Sequence, residues 1–456
     1  MINFISTIKK LRTRVTGQSP FFPKPGLLHF DYQENGERSR VHLRIDQDGS
    51  GLLLVNASRV MHLNPTAALM VYLILQKTPQ ELAVNSLVKT FNVPVDRIIN
   101  DYTQTTNQLS ELIKPDGACP IHDLDLEVTP PFSTRPSAPY RMDLAITYRC
   151  NNDCAHCYNA RSRDYPELST KNWHQILDRL WAIGVPHVVF TGGEPTLRQD
   201  LPELIAHAEQ NGQITGINTN GRRLSDRDYV ENLIKAGLDH VQITLESHDP
   251  NIHEAMVNAR GVWKQTVAGI RNALETPLFV MTNTTMLRAN SPTLTQTLEF
   301  LASIGVPTVG LNALIYSGRG LTVNSGLAET ELPTLLTLAR EITTAHHQRL
   351  IWYTPTQYCN FDPMQLELGV KGCTAALYNM CIEPNGDVIP CQSYYQSLGN
   401  ILSARWGKIW NHDLSIQLRE HKCIPEKCLN CSLLAECGGG CPLVINNTGK
   451  LLRNKS

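Results

Sequence analysis

Apolar positions along the chain change their period three times, and each change marks a different kind of structure. Between residues 26 and 55 they fall in short extended stretches, 26–32, 40–45 and 51–55. Glu34-Asn35-Gly36-Glu37 and Asp48-Gly49-Ser50-Gly51 break these stretches at turn-forming residues, which predicts a three-stranded antiparallel ribbon. Helical spacing follows. The first helix opens at Asn64-Pro65, an N-cap with proline at the first helical position. The second covers about 79–91 and the third about 95–112. Strands followed by three helices predict a small winged-helix-like unit over 26–115, preceded by a tail over 1–25. Residues 116–141 carry Pro120, Pro130, Pro131, Pro136 and Pro139 with no sustained period and read as a linker.

From Asp143 to about His346 the period switches regularly between strand and helix. Strand candidates are 144–148, 187–190, 214–218, 240–245, 278–282 and 308–311, with amphipathic helices over 171–183, 201–210, 226–236, 262–274, 293–304 and 331–345. Alternating strands and helices imply parallel pairing with right-handed crossovers. Six repeats fall short of the eight that close a standard barrel. The expectation is an α/β chain whose centre, 142–350, is a partial (β/α)6 barrel. Its chemistry should lie at the carboxyl ends of the strands. The remainder, 351–456, loses the alternation and is dense in cysteine.

Composition narrows the function. Formal net charge is −1, so bulk charge favours neither nucleic acid nor anionic lipid. Within 26–125, eight Lys/Arg face twelve Asp/Glu, the wrong sign for a winged helix that reads phosphates. The first fifteen residues are basic (Lys9, Lys10, Arg12, Arg14) and weakly amphipathic, without a secretory pattern. The longest apolar run, 67–75, is too short to span a bilayer. Thirteen cysteines, an odd number in tight groups, suit metal ligation in a reducing compartment better than a disulfide framework. Together these features predict a cytoplasmic protein with no nucleic-acid or membrane partner.

The first group, Cys150, Cys154 and Cys157, lies in one loop after the first barrel strand. Three thiolates can hold a metal centre and leave one coordination position open for substrate, whereas a structural zinc site closes with four protein ligands. The second strand runs into Thr191-Gly192-Gly193-Glu194-Pro195, where two glycines allow close backbone approach and Glu194 offers a carboxylate to an ammonium group. Cysteine loop and glycine turn, one helix and one strand apart, resemble the radical S-adenosylmethionine (SAM) enzymes. That resemblance implies a SAM-binding [4Fe-4S] cluster on the three cysteines. SAM would be held by Gly192, Gly193 and Glu194, with Asn220 after the third strand. His156 would contact the adenine, and Glu246 and Ser247 after the fourth strand the ribose. The chemistry implied is reductive cleavage of SAM to a 5′-deoxyadenosyl radical, fed by a donor such as flavodoxin or ferredoxin.

Cys373, Cys381, Cys391, Cys423, Cys428, Cys431, Cys437 and Cys441 form a second field, enough for two complete four-cysteine sites. Twelve residues separate Cys373 from Gly386, four separate Gly386 from Cys391, and Cys428-x2-Cys431-x5-Cys437-x3-Cys441 follows. This order resembles the SPASM extension of radical SAM peptide maturases and implies two auxiliary [4Fe-4S] clusters. Cys373, Cys391 and Cys441 would hold the first, with Cys381 as fourth ligand. Cys428, Cys431 and Cys437 would hold the second, with Cys423 replacing the family's last cysteine. Structural zinc also suits these spacings. Cys359 belongs to neither field and is a candidate hydrogen-atom donor or a structural thiol; Cys119 matches no spacing.

Leu52–Asn56, Leu63-Asn64-Pro65-Thr66-Ala67-Ala68 and Asp101 resemble the small peptide chaperone of pyrroloquinoline-quinone biosynthesis, a leader-peptide recognition element (PqqD-like). The implied partner is a precursor peptide whose leader adds as a strand. The three parts then predict a radical SAM maturase that installs a thioether or carbon–carbon cross-link in a ribosomally made peptide. Two alternatives stand beside it: a radical SAM enzyme acting on a small molecule, such as a tetrapyrrole decarboxylase, and a non-catalytic zinc protein that binds peptide or DNA.

Overall fold

The computed structural model describes residues 22–34, 37–56, 59–113 and 136–447. The basic N-terminal segment, most of the proline-rich linker and Cys119 lie outside the described residues. The chain divides into two compact units, Met1–Pro130 and Pro131–Ser456.

The first unit carries four antiparallel strands rather than three. β1 (Gly26–Glu34), β2 (Glu37–Ile45), β3 (Gly51–Val55) and β4 (Arg59–Leu63) pair in sequence order. β4 escaped the periodicity because Arg59 and His62 interrupt its apolar positions, yet it pairs along its whole length, Gly51 opposite Leu63 to Val55 opposite Arg59. Three helices follow, α1 (Pro65–Leu75), α2 (Gln80–Phe91) and α3 (Val95–Ile113). Asn64 caps α1 by accepting from Ala67 N at 2.9 Å, which satisfies one of the helix's orphan donors. Val41, Leu43 and Leu53 of the sheet pack against Ala68, Val71 and Leu75 of α1 and Leu109 and Leu112 of α3.

In the second unit, six parallel strands recur between helices: β5 (Arg141–Thr147), β6 (His187–Gly192), β7 (Ile214–Thr219), β8 (His240–Thr244), β9 (Phe279–Thr285) and β10 (Thr308–Asn312). The intervening helices are α4 (Thr170–Ile183), α5 (Leu201–Asn211), α6 (Arg227–Lys235), α7 (Pro250–Val257), α8 (Val262–Leu274), α9 (Leu294–Ser303) and α10 (Leu332–Ala345). This is the partial barrel of the sequence expectation, extended at one edge by a short parallel strand, β11 (Arg349–Trp352). On the other edge, β12 (Asn379–Ile382) pairs parallel with β5 and carries the antiparallel β13 (Asp387–Ile389) and β14 (Gly399–Asn400). The cysteine-rich segment therefore continues the barrel's own sheet. Every strand has two faces. Met142, Leu144, Val188, Phe190, Ile217 and Val241 point to the helix layer, while Arg141 and Asp143 share the other face and bond at 2.7 Å. No helix among the described residues is long and apolar enough to cross a membrane.

Candidate functional site

β5 delivers the chain to an irregular loop holding Cys150, Cys154 and Cys157, all partly exposed and none in a disulfide. Main-chain bonds fix its path: Asp153 N donates to Val257 O at 2.9 Å and Ala155 N to Met256 O at 3.0 Å. Carbonyls at the end of α7, left unpaired by the helix itself, thereby position the cysteines. Three arginines brace the loop. Arg163 donates to Cys150 O at 2.9 Å and to Asn152 O and Asp153 Oδ1 at 2.6 Å. Arg222 reaches Asn152 Oδ1 at 3.0 Å. Arg319 joins its amide to Cys157 O at 2.9 Å and its guanidinium to Asp153 Oδ1 at 2.8 Å. Nothing in the sequence pattern singled them out, because they come from three separate loops.

These residues fit an iron–sulfur cluster. The donors are three soft thiols in one loop, ringed by guanidinium charge that offsets the negative charge of ligated thiolates. Burial pushes the Cys150 thiol up to about 11 and raises Cys154 well above the usual thiol range, so both hold their protons until a metal displaces them.

The glycine turn also packs closely on the backbone that enters the cysteine loop. A Cβ at Gly192 would lie 2.1 Å from Thr147 O, and one at Gly193 would lie 2.3 Å from Arg149 O. The two glycines let the end of β6 pack directly on the backbone entering the cysteine loop. Gly193 N donates to Thr147 O and Glu194 N to Arg149 O, both at 2.8 Å. Glu194 is 1% exposed. Its Oε1 accepts from Thr196 N (3.1 Å), Thr196 Oγ1 (2.6 Å) and Thr219 Oγ1 (2.7 Å), and its Oε2 from Asn220 N (2.8 Å). Burial raises its pKa against those four bonds. Oε2 keeps a lone pair for one more donor. Asn220 Nδ2 donates to Asn151 Oδ1 at 2.7 Å, tying the third strand's turn to the cysteine loop.

His156 and Glu246 meet: Nε2 lies 3.0 Å from Oε1, while Glu246 Oε2 accepts from Thr285 N at 2.9 Å. His156 Nδ1 is buried without a hydrogen-bond partner among the described residues, which is costly unless a ligand supplies one. An apolar cavity of about 360 Å³ opens beside it, bordered by Ala155, Ile252, Met256, Leu287 and Val323. Ser247 is fully buried; its Oγ accepts from Asp249 N at 3.1 Å and shapes the turn into α7.

The C-terminal cysteines separate into neighbourhoods. The Cys373 thiol is raised by burial and then by Cys441, Cys391 and Cys423. Cys428 and Cys437 are raised by burial and then by Cys359 and Cys431, among others. Cys381 lies on β12, fully buried against Ala145, Tyr148 and Ile389. Cys359 thus acts on the second group and Cys423 on the first, while Cys381, in an apolar cluster, is also raised by Cys391 of the first group. Among the described residues no three Cys, His, Asp or Glu side chains are grouped as for a single metal ion.

The radical SAM superfamily model matches residues 144–311, and that of the SPASM iron–sulfur cluster-binding domain matches 373–432. The chain is 28% identical to Fe-coproporphyrin III synthase of Methanosarcina barkeri, over 64% of this chain and 81% of that one. Among solved structures, SuiB of Streptococcus suis bound to S-adenosylmethionine is 18% identical, with 89% of this chain and 95% of that one covered at a TM-score of 0.66. The same protein bound to precursor peptide SuiA gives 17%, 89% and 94%, and 0.65. Native anSMEcpe with bound AdoMet gives 16%, 66% and 89%, and 0.53. Its cofactors are accordingly SAM and a four-iron cluster, with auxiliary iron–sulfur clusters in the SPASM domain. With both domains in one chain, this protein is a radical SAM superfamily enzyme.

Proposed function

We propose that this enzyme modifies a ribosomally made precursor peptide, whose leader the N-terminal unit holds while the barrel acts on the core. The observation that carries the reading is a groove in the first unit. It lies between β3–β4 and α1–α3, lined by Leu53, Met61, Leu63, Ala67, Val71 and Leu109. β4 pairs on one side only within the described sheet, so an extended peptide can add there, its side chains running along the rim of this depression of about 10 Å³. Tethering the leader raises the local concentration of the core. That SuiB, similar in fold, has a structure bound to a precursor peptide supports the reading.

In the barrel, Cys150, Cys154 and Cys157 would hold the four-iron cluster. Gly192, Gly193, Glu194 and Asn220 would hold the amino-acid end of SAM, the free lone pair of Glu194 taking its ammonium. His156 and the adjoining cavity would take the adenine, and Glu246 and Ser247 would face the ribose. SAM and the cluster held by these residues would supply radical chemistry, the removal of hydrogen from an unactivated carbon. The residues aim that event and exclude water. The product class is a thioether or carbon–carbon cross-link, and a small flavodoxin- or ferredoxin-type protein in the cytoplasm would supply electrons.

The relative from Methanosarcina barkeri favours a second reading, chemistry on a tetrapyrrole. One experiment separates them. Reduced, reconstituted enzyme is incubated with SAM and either the product of a short neighbouring reading frame or a coproporphyrin. A mass change in the peptide, with deoxyadenosine formed in proportion, supports maturation. Decarboxylation of the porphyrin with an unchanged peptide would replace it.

A further inference from the structure

The turn 356–360 lies outside both cysteine motifs, yet it is bonded to the second of them. Tyr358 N donates to Cys437 Sγ at 3.4 Å, and Cys437 Sγ donates to Thr356 O at 3.6 Å. Gln357 Nε2 donates to Gly439 O at 3.2 Å. Gly440 is required there, since a Cβ would come within 2.9 Å of Gln357 Cγ and 3.3 Å of its amide nitrogen. The turn closes on itself through Asn360 N to Gln357 O at 2.8 Å. Glu329 anchors it from the barrel side, accepting from Gln357 N at 3.3 Å and Asn360 Nδ2 at 2.8 Å. Cys359 sits at the tip, and its Sγ lies 3.3 Å from Nζ of Lys427, the residue before Cys428.

We propose that Cys359 is the fourth ligand of the auxiliary cluster held by Cys428, Cys431 and Cys437, and that Cys423 completes the set of Cys373, Cys391 and Cys441. The inference rests on the SPASM domain's holding clusters and assigns which thiols do so. Four thiols in two short loops, pinned to each other by bonds between side chains and main chain, match the donor number of a closed cluster. The Lys427 ammonium offsets the charge of ligated thiolates. Cys423 packs against the same buried core as Cys373, Cys391 and Tyr394, and the Tyr394 amide donates to Cys391 O at 3.1 Å. Cys381 is the rival for the first set. It lies near Cys391, but its side chain is buried with Ala145, Tyr148 and Ile389 and donates to Ile382 O at 3.7 Å, and in this assignment it stays a thiol.

The test uses the full chain with Cys150, Cys154 and Cys157 all replaced by alanine, so that only auxiliary clusters contribute. Purified anaerobically, this parent should hold about eight iron atoms per chain and show no three-iron EPR signal on mild oxidation. Adding Cys359→Ala should cost about one iron and produce the three-iron signal. Cys359→Ser, which retains an oxygen ligand, should shift the reduced-state spectrum at nearly full iron content. Cys423→Ala should produce its own three-iron signal, and Cys381→Ala none. Iron content and spectra unchanged in both Cys359 variants would overturn the first assignment. A signal from Cys381→Ala with none from Cys423→Ala would overturn the second. A parent that holds zinc or no iron would instead remove the clusters themselves, a failure distinct from either.

Discussion

A Cβ at Gly216 would lie 2.0 Å from the ring of His240 on the neighbouring strand. His240 in turn places Nε2 2.7 Å from Nε2 of His187, so the two imidazoles meet across β7 over the glycine. Burial keeps His240 neutral in this pairing, and one ring nitrogen donates while the other accepts. Gly216→Ala should therefore destabilise the chain by about 1–3 kcal/mol through overpacking, and His240→Ala should relieve most of that cost. A double-mutant cycle on thermal unfolding checks the coupling. Burial, helped by the Arg141 charge, lowers the pKa of His240 from 6.5 to about 3. Between those values the unfolded chain binds a proton that the folded chain does not. This group's contribution to stability is thus complete above about pH 6.5 and falls as the pH drops toward 3. Unfolding temperatures of the cluster-free protein, measured across that window, should fall less steeply in His240→Gln.

The hairpin β12–β13 and the segment after the cysteine loop are joined by a buried ion pair. Arg161 donates to both oxygens of Glu383, at 2.7 and 2.9 Å, and Tyr148 adds a bond to Oε1 at 3.2 Å. Glu383 is fully buried, and the guanidinium lies over the rings of Tyr165 and Tyr395 at 5.3 and 5.2 Å. Removing one partner strands the other's charge, so Arg161→Ala should cost about 3 kcal/mol, whereas a paired replacement by Met and Gln should cost less. Thermal melts of both variants decide it. This element-level wiring was invisible in the sequence, since residues 161 and 383 share no spacing or period. The six barrel strands were legible because strands covered on both faces read as continuous apolar runs. Short elements fared worse: β4 mixes polar and apolar positions, and α7 has eight residues behind an Asp249 cap. At the site, the three cysteines and the glycine turn were readable from spacing alone. The reason for the glycines was not, because the obstructing atoms are backbone carbonyls from another strand. Cys359 was set aside for the same reason, as only the fold brings its turn to Cys437.

At the scale of the whole chain, the proposed leader groove and the radical SAM residues belong to separate compact units, which makes them separable by substitution. Ala67 lines the groove of the first unit and is only partly buried. Ala67 packs on the sheet–helix core at the rim of the depression, so Ala67→Trp would place its ring over the edge where a strand adds, and a thermal melt matching wild type shows that the core is kept. If the groove holds a leader, this variant should weaken precursor binding at least tenfold, about 1.4 kcal/mol, in a calorimetric titration. The modification yield at low peptide concentration should fall in parallel and recover as the peptide is raised, since the defect lies in capture. A small substrate has no need of a strand-binding groove, so under the tetrapyrrole reading the same variant would leave turnover at every substrate concentration unchanged. Equal peptide affinity in Ala67→Trp and wild type would place the leader elsewhere and remove the groove from the argument.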